Sequence, residues 1–344
     1  MDKLLSIIVP SYNMEKYLPK CLDSLIVDDA DMLNRLDVIV VNDGSKDHTS
    51  GIAHGFEAEY PGVFRVIDKA NGNYGSCINA ALPTVKGRFV KILDADDTYD
   101  TAAFGRYLNE LAKLPPTVDM VMNDWVQVNA RGDVTESKSY PLPTDVPLGV
   151  EMCVRRKCEM AMYATAYRTA LVKEIGYTQL EGISYTDTEW MYLPPAFARE
   201  MRYVKQPVYR YLLGRAGQTM EHATFVRNVW MLDKIFDRML KQYDAGSCSR
   251  ASRPYLEFQL RRALSISLSL HLDASLLPQF SAYAKRLRQM IATHGFLSTA
   301  VRSMTVFTRS PFCFHYVEFV LRYPFWGCIV LPFVNKYSFI RAKI

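Results

Sequence analysis

Phe89-Val90-Lys91-Ile92-Leu93-Asp94-Ala95-Asp96-Asp97 is a short apolar run that opens into three carboxylates within four positions. Lys91 is the only charge inside the run, so the stretch reads as a strand buried on both faces of a sheet. Such strands deliver the next loop to the carboxyl edge of an α/β sheet, where ligands bind. Asp94 and Asp96, two residues apart on the emerging loop, are placed to share one divalent cation. Their hard oxygen ligands suit Mg2+ or Mn2+, which keep part of their coordination sphere for substrate phosphates. The plainer alternative is a solvated acidic turn with Asp97 capping a helix. The neighbouring segments decide between the two.

Working outward, Leu4 to Val9 reads as a first buried strand ended by Pro10, followed by the loop Pro10-Ser11-Tyr12-Asn13. Tyr17, Leu18, Cys21, Leu22 and Leu25 then recur at helical spacing. Leu36 to Val41 is a second strand that delivers Asn42-Asp43-Gly44-Ser45, with Ser45 or Asp47 expected to cap the next helix. Val63 to Ile67 is a third strand. Asn71 to Ser76 is a glycine-bearing loop, and a helix is expected from about Cys77 to Val85. Strand and helix alternating at short period demand a mostly parallel sheet with right-handed crossovers. No Gly-x-Gly-x-x-Gly follows the first strand and no Gly-x-x-x-x-Gly-Lys-Ser/Thr occurs, which argues against dehydrogenases and P-loop NTPases. A sugar-phosphate nucleotidyltransferase would carry a glycine-rich, arginine-bearing loop there, and that too is absent.

The 344 residues allow two domains, or one large domain with an appendage. Hydrophobic residues make up 49% and charged residues 22%, which supports a proper core and opposes disorder. The seven cysteines form no Cys-x-x-Cys pair and are expected to be reduced, mostly buried thiols of a cytosolic protein. Met1 to Pro10 passes straight into a strand, so no signal peptide is expected. No stretch reaches the roughly 20 apolar residues that span a bilayer. The net charge of +5 is unevenly divided. Residues 221–344 hold 17 Lys and Arg against 7 Asp and Glu, whereas residues 1–220 hold 24 against 29. That asymmetry suggests an anionic partner for the C-terminal part, either a membrane surface or a polyanionic acceptor. No nucleic-acid-binding signature accompanies it, and no nucleic-acid partner is expected.

Together these pieces resemble glycosyltransferase family 2 on the GT-A fold. Ser6 to Asn13 matches the family's opening strand and Val40 to Ser45 its second-strand motif. Asn71 to Asn79 matches a glycine-rich variant in which Asn73 replaces the second glycine, a substitution asparagine's tolerance of a left-handed backbone permits. Asp94-Ala95-Asp96 matches the metal-binding Asp-x-Asp. The resemblance implies an α/β fold of GT-A type, Rossmann-like, with a mostly parallel sheet flanked by helices and a C-terminal helical extension. Residues 1–220 would be the catalytic domain, 1–105 its nucleotide-sugar-binding half and 106–220 its acceptor half; residues 221–344 would be a basic helical region. Pro10, Tyr12, Asn13, Asp43, Asn71, Gly75, Asp94 and Ala95 would line the nucleotide sugar. Within that set Pro10 and Tyr12 would frame the base, and Asp43 would accept a base N–H, as uracil requires. Asp94 and Asp96 would hold Mn2+ or Mg2+ against the diphosphate, while Asp97 is either a further member or purely structural.

Past Asp100 the pattern loosens. Phe104, Leu108 and Leu111 give a helix that stops at Pro115-Pro116, Met120 to Val128 a strand, residues 129–150 a loop or hairpin, and Ala161 to Ile175 a helix. Gly182 to Trp190 resembles the family's acidic motif before an acceptor-side helix, with Thr186 in place of the usual Glu and Asp187 at the catalytic position. A one-step inverting displacement needs a carboxylate to take the acceptor proton. Asp187 can equally be a helix N-cap, and Glu189 is the reserve candidate. Tyr203 to Tyr211, interrupted by Pro207, reads as an edge strand. Arg215, in a segment like those that end the family's catalytic domain, would clamp the diphosphate or else be a surface residue. His222 is either a further metal ligand or a polar residue of the surface. Phe225 to Tyr243, Pro254 to Leu272 and Pro278 to His294 read as helices, the second also alternating like a strand. From Phe296 onward aromatics interleave with basic residues, which fits either peripheral contact with anionic lipid or the basic face of a bundle. The expected function is transfer of a sugar from a nucleotide donor to a glycan or lipid-linked acceptor, at the cytoplasmic, inner face of the membrane. The alternative is a catalytically inactive scaffold of the same fold.

Overall fold

A computed structural model describes residues 2–214, 222–246, 248–271, 273, 276–308, 313–314 and 338–342. The chain divides into two units, Met1–Ala216 with Cys248–Ser252, and Gly217–Ser247 with Arg253–Ile344.

In the first unit, β1 (Leu5–Ser11), β2 (Leu36–Asn42), β3 (Phe64–Asp68) and β4 (Phe89–Ile92) lie parallel in the order β3-β2-β1-β4. Leu5 pairs with Leu36 and Ile8 with Ile92, so β1 and β2 are buried along their whole length, as their unbroken apolar runs require. The crossovers carry α1 (Leu18–Asp23), α2 (Ala30–Asn34), α3 (Thr49–Glu59) and α4 (Asn73–Ala81). The acceptor half adds β5 (Thr98–Tyr99), α5 (Thr101–Lys113), β6 (Met120–Val128), β7 (Val134–Lys138), α6 (Glu151–Arg155) and β8 (Thr165–Arg168). It is completed by α7 (Thr169–Glu174), α8 (Asp187–Trp190), α9 (Leu193–Phe197) and β9 (Met201–Leu212). The sheet continues from β4 through β8, β6 and β9 to β5, with β7 forming a hairpin on β6.

Lys91 shows how a charge fits inside a strand. Its side chain is fully buried, and Nζ donates to Asn123 Oδ1 at 2.8 Å and to the Tyr163 carbonyl at 2.7 Å. The ammonium thereby ties β4 to β6 and to the turn that enters β8, and burial pulls its pKa well below the ordinary lysine value.

Four local expectations are corrected. The segment expected as a helix from Ala161 holds β8, antiparallel to both β4 and β6, with α7 following it. The slot between two strands overrides a pattern that reads as helical in isolation. β9 is not an edge strand, because it pairs with β6 on one side and β5 on the other. Pro207 is accommodated by a bulge: the register steps from Asn123↔Val204 to Asp124↔Pro207. α4 begins at Asn73 rather than near Cys77. α3 is entered through His48, with Asp47 Oδ1 accepting the Thr49 N–H at 3.0 Å from one residue further back.

The second unit is helical: α10 (His222–Arg227), α11 (Val229–Asp244), α12 (Arg253–His271), α13 (Leu277–Thr293) and α14 (Ser298–Ser303). A small antiparallel sheet of β10 (Met304–Thr308), β11 (Cys313–Phe314) and β12 (Ser338–Ala342) comes next, which the helical expectation did not include. The α10–α12 contact is apolar, with Val226, Val229 and Leu270 packed against Phe225, Leu232 and Ile266. Asp233 on α11 accepts Ser267 Oγ at 2.6 Å and lies 2.9 Å from His271 Nε2. No helix among the described residues is long and apolar enough to cross a membrane. Most of the aromatic and basic stretch after Phe296 lies outside the described residues.

Candidate active site

The loops after β1 and β2 are laced together at the carboxyl edge. The Asp43 N–H donates to the Ser11 carbonyl at 2.8 Å, the Asn13 N–H to Ser45 Oγ at 3.0 Å, and the Lys46 N–H to Asn13 Oδ1 at 2.9 Å. Asn13 turns this loop with φ 54°, a conformation asparagine tolerates. Pro10 is buried in register with Val41, beyond the last β1–β4 pair, so its missing N–H breaks no ladder there. Tyr12 is left 43% exposed on the loop surface, an aromatic face available for stacking.

Asp43 is buried, and its Oδ1 accepts Lys69 Nζ at 2.6 Å and the Gly72 N–H at 2.9 Å. Asn71 Nδ2 donates to the Asp43 carbonyl at 3.0 Å, so Asn71 braces the residue it was grouped with from the sequence. Lys69 itself was not picked out from the sequence. Its signal was a lysine just before the glycine-bearing loop, but its partner lies 26 residues away.

Asp94, Ala95, Asp96 and Asp97 divide by burial. Asp94 is half-buried, and its Oδ1 accepts the Tyr74 hydroxyl at 2.8 Å. Burial and the charges of Asp94 and Asp187 hold the Tyr74 phenol well above its ordinary range, so it stays a donor. Ala95 is buried and Asp96 half-buried. Asp97 is 1% exposed and accepts both the Tyr209 hydroxyl and the Leu212 N–H at 2.6 Å. Burial, then the Asp96 and Asp94 charges, push its carboxyl well above the usual range. Asp97 therefore fastens the β5 turn to the end of β9, and the cap of α5 is Asp100, which accepts the Ala103 N–H at 2.9 Å. Among the described residues no cluster of three His, Cys, Asp or Glu side chains is assembled for a metal. Two adjacent carboxylates on one loop are nonetheless the donor set that Mg2+ or Mn2+ accepts when substrate phosphates supply the rest. Asp94 and Asp96 fit such an ion.

The segment that leads to Asp187 is fixed by α4. Asn79 Nδ2 donates to the Gln179 carbonyl at 2.9 Å, and the Gln179 N–H returns to Asn79 Oδ1 at 2.8 Å. The Gly182 N–H donates to the Gly72 carbonyl at 2.8 Å. Gly75 lies inside α4, where a Cβ would stand 2.0 Å from the Leu180 carbonyl oxygen; its missing side chain serves this close approach. Gly75→Ala is accordingly expected to destabilise the protein by about 1–3 kcal/mol through overpacking, read as a lower urea midpoint at unchanged slope. Thr186 is the fully buried N-cap residue of α8, so Asp187 is its exposed first residue and not its cap. Glu189 is buried with Oε2 accepting the Leu180 N–H at 2.8 Å, which makes it a brace for the same loop.

An aromatic wall borders the carboxylates. Tyr163 stacks on Tyr209 at 4.8 Å and on Tyr211 at 5.4 Å between ring centroids, and Trp125 meets Tyr163 edge-on at 4.7 Å. Burial first, then the charges of Asp97, Asp94, Asp96 and Asp187, push the Tyr211 phenol up to about 12. The Gly182–Gly72 hydrogen bond ties the segment that leads to Asp187 to the start of α4, whose Tyr74 binds Asp94. The wall went unnoticed in the sequence because Trp125, Tyr163 and Tyr211 belong to three separate segments. Arg215 lies outside the described residues. His222 Nε2 lies 3.1 Å from Asp273 Oδ2, within the second unit.

Residues 6–161 match the model of glycosyl transferase family 2. An uncharacterized glycosyltransferase of Mycoplasma pneumoniae is 36% identical over 30% of this chain and 34% of its own length. A dolichyl-phosphate β-glucosyltransferase of Trichomonas vaginalis is 30% identical over 44% of this chain and 47% of its own. The chain thus spans a third to a half of the length of these relatives. Residues 1–349 of S. aureus TarS, solved in complex with UDP-GlcNAc, superpose with a TM-score of 0.69 at 19% identity, over 97% of this chain and 90% of that one. That likeness establishes the fold, and the GT-A expectation holds.

Proposed function

Residues 6–161 belong to glycosyl transferase family 2, and on that premise we propose that the chain is a metal-dependent inverting glycosyltransferase. It moves a sugar from a nucleotide donor, a UDP-sugar, to a hydroxyl of a glycan or lipid-linked oligosaccharide in cell-surface polysaccharide assembly. The observation that carries this reading is the pair of half-buried carboxylates Asp94 and Asp96 on the loop after β4, with Tyr74 at the start of α4 binding Asp94 and the neighbouring Gly72 tied to the segment that leads to Asp187. UDP is favoured because Asp43 is a buried acceptor beside an exposed tyrosine, and because TarS holds UDP-GlcNAc on this fold.

Tyr12 stacks on the base, and Lys69 and Gly72 hold Asp43 Oδ1 so that its other oxygen meets the base N–H. An Mn2+ or Mg2+ held by Asp94 and Asp96 would neutralise charge growing on the leaving diphosphate. Asp187 takes the proton of the acceptor hydroxyl as that oxygen bonds to the anomeric carbon and the bond to the diphosphate breaks on the opposite face. Residues 1–220 act as the catalytic domain. The basic region 221–344 serves for contact with the inner face of the membrane or an anionic acceptor. An inactive scaffold would be signalled by Thr186, but Thr186 is a buried cap residue and leaves the neighbouring carboxylate in place.

The test is thermal shift with UDP or GDP, in MnCl2 or EDTA, followed by labelled UDP-sugars. UDP with Mn2+ at about 100 times Kd should add about 2.7 kcal/mol of stability, and EDTA should remove most of it. No shift with any nucleotide, together with no turnover across a broad UDP-sugar panel, sinks the reading.

A further inference from the structure

One side chain joins the loop that meets the nucleotide to the loop that meets the metal. Asn73, with φ 66°, reverses the chain at the start of α4, and the next residue, Tyr74, sends its hydroxyl to Asp94 Oδ1 at 2.8 Å. The same oxygen lies 3.1 Å from Met162 Sδ, at the turn that enters β8. A phenol has one proton, and a carboxylate is a far stronger acceptor than a thioether, so the proton points to Asp94. The backbone beside Tyr74 is held independently: the Gly72 N–H binds Asp43 Oδ1, and the Gly72 carbonyl accepts the Gly182 N–H at 2.8 Å. Tyr74 therefore reaches Asp94 from a frame already fixed at the base site and at the loop that carries Asp187.

We propose that Tyr74 is a positioning residue for the metal: its hydroxyl fixes one oxygen of Asp94 and so presets the carboxylate for the cation. This rests on the proposed glycosyltransferase activity and deepens it. Hydrogen bonds that orient a ligating carboxylate commonly govern metal affinity by 10–100-fold. Asp96 is not the hydroxyl's partner, so the effect is specific to one of the two candidate ligands.

The experiment is calorimetric titration of UDP into wild-type protein and Tyr74→Phe, in EDTA and across a MnCl2 series, with melting curves for both. Phenylalanine keeps the ring and removes only the hydroxyl. The expected result is a Mn2+ half-saturation raised about tenfold or more, with UDP affinity in EDTA changed less than twofold. Equal Mn2+ dependence in the two proteins overturns the assignment. So does an equal loss of UDP affinity with and without metal, which would mark Tyr74 as packing alone. Wild-type protein that shows no Mn2+-dependent UDP binding removes the functional reading itself, and the assignment with it. The wild-type arm therefore separates the two failures.

Discussion

Asp96→Ala is expected to lower sugar transfer by about 10³-fold, because a bound cation supplies several kcal/mol of charge stabilisation to the leaving group. The three carboxylates of the loop are not equivalent in this respect. Asp97 is sealed in the sheet, with Tyr209 and Leu212 donating to its two oxygens. Asp94 is steered by Tyr74. The loss should not come from misfolding. In the metal-free protein the Asp96 charge helps push the buried Asp97 carboxyl above its usual range. A carboxyl whose folded pKa is raised loses stability as pH rises through the window above its unfolded value of about 3.9. Removing Asp96 relieves part of that penalty, which works against a loss of stability at neutral pH in the metal-free protein. Rates in a Mn2+ series, alongside melting curves in EDTA, check both halves. Transfer that survives the substitution, or a collapsed melting temperature, contradicts the assignment of Asp96 as a ligand.

How much could be read in the sequence depends on how local each signal is. β1, β2 and β4 announce themselves because strands buried on both faces need uninterrupted apolar residues, and Lys91 is tolerated only through partners on β6 and beside β8. The left-handed Asn73 was legible because few residues other than glycine adopt that backbone. β8 was not, since Thr165–Arg168 becomes a strand by filling the slot between β4 and β6. The bulge that admits Pro207 depends on a register step against β6, which spacing along one strand cannot reveal. The candidate site divides the same way. Asp94 and Asp96 were singled out from two carboxylates following a buried apolar run, and Asp187 from the resemblance of Gly182 to Trp190 to the family's acidic motif. Lys69 and the Trp125, Tyr163 and Tyr211 wall depend on contacts between distant segments. Gly75 was grouped with the nucleotide contacts from its motif, whereas the Leu180 carbonyl explains why no side chain fits there.

Asp187→Asn separates an enzyme from a binding scaffold. If Asp187 is the general base, the isosteric amide cannot take the acceptor proton, and transfer should fall by about 10²–10⁴-fold. The position makes the test clean. Asp187 is exposed at the first residue of α8, and Asn79, Gly72 and Glu189 hold the loop before it. Losing a negative charge in the first helical turn should cost only about 0.3–1 kcal/mol of stability. UDP affinity in the presence of Mn2+ should stay near the wild-type value, because the proposed nucleotide contacts lie on other loops. Glu189 offers no ready substitute, since it is buried and Oε2 holds the Leu180 N–H. A variant that transfers sugar at the wild-type rate would place the base elsewhere. A wild-type protein that binds UDP and Mn2+ yet transfers nothing, with Asp187→Asn indistinguishable from it, would instead favour the scaffold.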